Sequence, residues 1–146
     1  MFIDGLTNAD ALPVLEASAQ VAAQRHRLIS NNIANISTPD YVPTDISVPE
    51  FQQDLARAVA RRRRAFGGAR GDLNLDGSAQ LRRDERGELR IRPQSSGRNI
   101  LFHDRNNRDL ERLMQDLAEN TAAFRVATEF IRAQTEVLAS AITERP

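Results

Sequence analysis

The stretch LPVLEASAQVAAQRHRLISNNIANISTPDY, residues 12–41, decides the architecture. Leu12, Leu15, Ala19, Ala22, His26, Ile29, Ile33 and Ile36 recur at alternating spacings of three and four. This is a heptad seam, interrupted only by His26, and it predicts a helix over residues 11–36. Asp10 is placed to cap its start, and Pro13 falls in the first turn, where a missing N–H costs nothing. Thr38-Pro39 ends it, because proline disfavours a helical residue before it. Such a helix is roughly 39 Å long at ~1.5 Å per residue.

The other end of the chain repeats the pattern. Leu110, Leu113, Leu117, Asn120, Phe124, Ala127, Ile131, Gln134, Leu138 and Ala141 hold the same spacing and predict a helix over residues 110–142, with Asp109 as its cap. A second line of Ala123, Phe130 and Val137 widens the apolar face, as expected of a helix that touches more than one neighbour. The assembly seam is therefore assigned to Leu15, Ala19, Ala22, Ile29 and Ile33 on one helix and to Leu113, Leu117, Phe124, Ile131 and Leu138 on the other.

Between these arms the sequence changes character. Residues 1–52 carry 2 Arg against 6 acids, residues 53–105 carry 13 against 7, and residues 106–146 carry 5 against 7. The middle is thus basic, at net +6, within a chain of 146 residues whose net charge is zero. Ser47-Val48-Pro49-Glu50 reads as a helix start, Val48, Phe51, Leu55 and Val59 share one face, and Gly67-Gly68 ends the helix. Leu73/Leu75 and Leu89/Ile91 alternate as short strands do, Asp84 to Gly87 reads as a hairpin turn, and Pro93 to Gly97 as loop. The expected fold is mainly α. Two long terminal heptad helices form a coiled-coil-type pair, with a short helix and a small β-hairpin middle. The organisation is 1–46, a variable basic region at 47–105, and a terminal helix unit at 106–146.

Chemistry is sparse. The absence of Cys excludes disulfides, thiolate zinc sites and thiol catalysis. Two His, His26 and His103, cannot build a His-rich metal site. No nucleophile elbow or P-loop appears, since Gly67-Gly68-Ala69-Arg70-Gly71 lacks the following Lys-Ser/Thr. His103 beside Asp104 reads either as an acid/base pair or as a loop hydrogen bond. Asn35-Ile36-Ser37 matches a glycosylation sequon in a chain whose first residues, Met1 to Leu6, have no secretory character. No enzyme, cofactor or metal is expected, and no run approaches a membrane span of ~18 apolar residues. All twenty cations are Arg. Arg61, Arg62, Arg63 and Arg64 form the sharpest basic patch, with three readings: a phosphate-binding surface, a solvated helix end near the negative end of its dipole, or a contact for an acidic neighbour. No aromatic residues interleave it, so nucleic-acid binding is not expected.

Asn31, Asn32 and Asn35 crowd the end of a helix, where asparagine is a poor former. They serve either to terminate it or to fix how this end meets a partner. Asn31-Asn32-Ile33-Ala34-Asn35, then Thr38-Pro39 and Tyr41, resembles the signature of the flagellar rod and hook family, with Asp40 where that family has Gly and Val42 where it usually has Lys. A left-handed turn is harder for Asp than for Gly, so a different turn after Pro39 is expected. Asn106-Asn107-Arg108-Asp109-Leu110 and Leu117 to Asn120 are similar to the last helix of its short, cell-proximal rod members. The resemblance implies a structural subunit of the proximal rod in the basal body. It would pack on itself, on other rod proteins and on the membrane ring through its adaptor, transmit torque, and leave by the flagellar type III export apparatus without a cleaved signal. Phe51 and Leu55 have the form of an export-recognition pair, and equally of one helical face. A coiled-coil adaptor unrelated to flagella is the alternative.

Overall fold

A computed structural model describes residues 11–67, 71–95 and 110–143. Among them are three helices, α1 (Leu12–Ala34), α2 (Val48–Phe66) and α3 (Leu110–Thr143), and four short strands, β1 (Thr44–Asp45), β2 (Leu81–Arg83), β3 (Leu89–Ile91) and β4 (Gln94–Ser95). The mainly helical fold with paired long arms is as the periodicity predicts.

Helix α1 begins at an Ala11 cap without a side-chain bond, with Pro13 in the first turn. The expected caps Asp10 and Asp109, like His103, Asp104, Gly68 and Gly97, lie outside the described residues. The helix stops at Ala34, ahead of Pro39. Asn35 is its C-cap: the backbone N–H still makes a helical bond to the Asn31 carbonyl at 3.1 Å, and the side-chain Nδ2 donates to the same carbonyl at 2.9 Å. Local amide bonding thus competes with the helical ladder before proline acts.

Helix α2 starts as its sequence dictates. Ser47 Oγ accepts from the Glu50 N–H at 3.4 Å, Pro49 lies in the first turn, and Gly67 closes the helix at φ 70°. The buried amide of Gln80 holds this start to the hairpin, accepting from Ser47 N at 2.5 Å and donating to Glu50 Oε2 at 2.8 Å.

The hairpin differs from expectation in its first strand. Leu81, Arg82 and Arg83 pair antiparallel with Ile91, Arg90 and Leu89 around the expected Asp84–Gly87 turn. Leu73 and Leu75 are buried but belong to no strand. Their alternation reflects an extended segment with both leucines turned to the core. Its carbonyls are met by guanidinium groups in place of a ladder: Arg62 Nε donates to Gly71 O at 2.7 Å, Arg83 to Leu73 O at 3.0 Å and Arg61 to Asn74 O at 2.8 Å. Gln94 and Ser95, expected in a loop, pair with Asp45 and Thr44 as β4 on β1.

The core lies between one face of α1 and the middle region. Ala17 and Val21 meet Ile46, Phe51, Ala58, Leu73, Leu75, Leu81 and Leu89 in one buried cluster, to which α3 contributes no member. Gln24 on α1 completes the open edge of β3, donating to Leu89 O at 2.7 Å and accepting from Ile91 N at 3.1 Å. An adjoining face of α1 packs on α3. The helices run antiparallel, since Ala22 meets Asn120 while Arg25, further along α1, meets the earlier Asp116.

This division predicts unequal costs for similar truncations. Leu75→Ala, at a site 4% exposed, should lose about 2–4 kcal/mol, whereas Leu117→Ala in the half-buried seam should lose about 1. Urea unfolding followed by far-UV circular dichroism measures both, and equal losses would place α3 in the core.

Candidate functional site

The Asn-rich helix end is one hydrogen-bonded knot. Asn32 is 3% exposed. Its Nδ2 donates to Thr44 O at 2.8 Å, and its Oδ1 accepts from Tyr41 Oη at 2.9 Å and from Thr44 N at 3.2 Å. Asn31 Nδ2 donates to Tyr41 Oη at 3.2 Å, Asn35 Nδ2 to Asn31 Oδ1 at 3.1 Å, and Thr38 Oγ1 to Asn35 Oδ1 at 3.3 Å. The motif therefore folds the chain back on its own helix and delivers Thr44-Asp45 to β1. Ile33 and Ala34, beside it, are half-buried and exposed.

Asp40 takes φ 58°, the only non-glycine with positive φ among the described residues. The turn after Pro39 thus takes the left-handed geometry that glycine adopts freely. Asp is among the few residues that tolerate this region.

Of the residues assigned to the α1–α3 seam, Ala19, Ala22 and Ile29 are buried and Leu15, Ile33, Leu113, Leu117, Ile131 and Leu138 are half-buried. Phe124 sits at its margin, 38% exposed. Polar groups fix its register. Asn120 is buried and donates to the Ala22 carbonyl at 2.9 Å. His26, expected in the seam, is exposed. Its neighbour Arg25 takes the buried place, bonding Asp45 at 2.9 and 2.7 Å and Asp116 at 3.5 Å. Burial lowers the Arg25 pKa, but bonding and charge from Asp45 and Asp116 outweigh it, so the group is held above its ordinary value. Sequence reading missed Arg25 because it lies one position off the apolar line.

The remaining assigned residues separate. Phe51 is buried and Leu55 packs beside it, so the candidate export pair is closed within the fold. Arg62 is buried and Arg61, though exposed, bonds a loop carbonyl, leaving Arg63 and Arg64 as the exposed part of the run for which no such bond is seen among the described residues. The expected four-arginine patch is thus half structural. Beyond the seam, α3 carries Val126, Phe130 and Val137 at 55%, 58% and 69% exposure. Of the expected second apolar line, Ala123, Phe130 and Val137 are all exposed among the described residues, with Val126 beside them. No described helix is long and apolar enough to cross a membrane.

A protein of Borrelia hermsii named flagellar basal body rod protein FlgB is 30% identical to this chain over 112 residues, which make up 74% of this chain and 77% of that one. The chain belongs to the FlgB family of flagellar basal body rod proteins. No family model matches the sequence. Within the FlgB family frame, a structural role in the flagellar rod follows in general terms, and the fold offers two long helices for it.

Two tests concern the knot. Asn32→Ala leaves both Thr44 backbone groups without their buried partner and should cost about 2–3 kcal/mol, while Asn31→Ala costs under about 1. Asp40→Gly should gain at most about 1 kcal/mol, the relief of left-handed strain less the added freedom of the unfolded chain. Thermal or urea unfolding ranks the three, and a neutral Asn32→Ala would refute the clamp. Burial also raises the Tyr41 pKa above its ordinary 10. The neutral phenol is the form the fold favours. Stability is therefore unaffected below pH 10 and falls as pH rises from there through the folded value. Tyr41 is the sole tyrosine and there is no Trp, so absorbance at about 295 nm should titrate higher in the folded chain than in urea; equal midpoints would count against burial of the ring.

Proposed function

We propose that this chain is a structural subunit of the proximal rod, assembling through its terminal helices to join the membrane ring and its adaptor to the rest of the rod and to carry torque. It performs no turnover. It works in the periplasmic part of the basal body and reaches it through the flagellar type III apparatus.

The observation that carries this reading is the second apolar line of α3. After pairing with α1, the helix still presents Val126, Phe130 and Val137 to solvent. An exposed apolar stripe on a helix roughly 50 Å long suits contact with further helices. The rod-family motif residues Asn31, Asn32, Ile33, Ala34, Asn35, Thr38, Pro39 and Tyr41 act here as a scaffold. They set where α1 ends and hold the middle region to its side. Export by recognition of Phe51 and Leu55 requires the chain to be read before it folds, because the folded core closes over Phe51. Arg61, Arg62 and Arg83 are engaged with the 71–74 segment, which favours a structural role for the basic middle over phosphate binding.

Electron microscopy of basal bodies from the native host with this gene deleted tests the role. Loss of rod and hook with the membrane ring retained is the expected result, and intact rotating flagella would overturn the proposal. Complementation with Ile33→Asp should fail to restore the rod while leaving hairpin and α2 folded in the purified variant. Full motility with that variant would remove Ile33 from the assembly surface.

A further inference from the structure

The seam between α1 and α3 has a heptad period, so its apolar pattern alone admits more than one seating. In the observed seating Asn120 meets the Ala22 carbonyl. Extended along antiparallel helices, the seam spacing then sets Ala19 against Phe124, Leu15 against Ala127 and Ile29 against Leu113. A slip of one heptad moves α3 by roughly 10 Å and again brings seam residues onto seam places.

The polar groups tell these seatings apart, and each guards one direction. When residues one heptad later take each place, Ala123 replaces Asp116 beside Arg25, and the buried guanidinium keeps only Asp45. The contact between Arg25 and Asp116, 3.5 Å in the observed seating, therefore disfavours that slip. When residues one heptad earlier take each place, the sequence brings Asp109 to the position of Asp116, so the ion pair offers no resistance. What changes there is Asn120. Leu113 arrives beside the Ala22 carbonyl, and the Asn120 amide leaves its partner for the closed place of Ala127, which is 5% exposed. Burying an amide away from its hydrogen-bond partner is unfavourable, whereas the apolar seam is nearly indifferent to the move.

We propose that Asn120 is the register-setting residue of the α1–α3 pair, excluding the one heptad slip that Arg25 tolerates. It acts wherever the two helices pair, and its effect is positional. The slip would displace α3 by about two helical turns relative to α1 and the middle region. Copies in a regular array repeat one contact, so each must present α3 at the same height. This consequence for assembly rests on the rod-subunit reading; the register itself does not.

The chain has no Cys, so introduced pairs report the seating without interference. Ala19→Cys with Phe124→Cys joins in the observed register. Ala19→Cys with Leu117→Cys joins only after the slip, because a disulfide needs Cβ atoms about 4 Å apart and the slip spans roughly 10 Å. Full-length chains carrying either pair are expressed in the deletion strain, and whole cells are mildly oxidised. With Asn120 in place, only the first pair should cross-link. Asn120→Ala should raise the ratio of slipped to observed cross-link by about tenfold or more. Adding Asp109→Ala should return the ratio toward the parent value, since the slipped seating then loses its carboxylate. A residue that merely fills space would show no such reversal. Complete rods, counted by electron microscopy of basal bodies, should fall in Asn120→Ala and be partly restored in the double variant. An unchanged ratio in Asn120→Ala, or a double variant as slipped as the single one, would overturn the proposal. So would the loss of both cross-links in Asn120→Ala, which would make the amide necessary for pairing itself. Complete rods built from a slipped chain would refute the role in assembly. The ratio is read whether or not rods form, so its failure is separate from failure of the rod reading, which the deletion strain tests.

Discussion

One buried guanidinium ties the three parts of this molecule together. Arg25 leaves α1 at 8% exposure, bonds Asp45 of β1 through two nitrogens and reaches Asp116 of α3. The hydrophobic core joins α1 to the middle region only, and the helical seam joins α1 to α3 only. Arg25 is an ionic link that spans both interfaces. A buried cation with one carboxylate on each side is costly to leave unpaired. It therefore penalises any arrangement in which α3 slides along α1, or the β1 segment moves away. Asn120 adds a second register mark, because its amide has a partner at the Ala22 carbonyl and would lose it on a shift of one turn.

Arginine performs a different task in the middle region. The 71–75 segment is extended and buries two leucines, yet among the described residues it has no neighbouring strand to satisfy its carbonyls. A guanidinium offers several donors on a long stem, so it can reach a backbone oxygen from a helix or a hairpin. Arg61, Arg62 and Arg83 do this from two different elements. The basic character of residues 53–105 is thus partly the consequence of packing a loop without a ladder. The turn of the hairpin spends a further pair internally, since Arg90 bonds Asp84 at 3.0 Å and Glu88 at 2.8 Å. The hydrogen bond from Arg90 is the leading reason the half-buried Asp84 carboxyl lies below its ordinary pKa.

The long helices, the capped start of α2, its glycine end and the Asp84–Gly87 turn were legible in the sequence because each rests on local rules: period, caps and turn chemistry. What escaped depends on distant partners. Leu73 and Leu75 alternate as strand residues do, and only the absence of an adjacent strand makes them loop. Gln94-Ser95 forms a strand only because the Asn32 knot brings Thr44-Asp45 beside it. His26 fits the heptad count by number, but the face of α1 turned toward α3 and the face turned toward the core together shift burial by one residue, to Arg25. Asp40 keeps a left-handed turn because the bonds of Asn31, Asn32 and Tyr41 fix the chain on both sides of it. In the candidate assembly surface, the seam was visible as periodicity.

The unequal treatment of the two long helices explains why assembly would centre on α3. Helix α1 is buried on two sides, by the core and by α3, and is held at its end by the Asn32 knot. Helix α3 is longer, takes no part in the core and buries only Asn120 and Ala127 fully among its described residues. Isolated helices are marginal in water, so α3 depends on side-chain contacts for its persistence. One seam secures it along the reach of α1, and its outer line contributes nothing until something covers it. A helix so placed is the element of the fold whose stability changes most when a neighbour arrives. The core around Phe51 and Leu75 takes no member from α3, so among the described residues the two are linked mainly through α1 and Arg25. This separation lets a small chain with a small core present a long helical surface without needing that surface for its own folding.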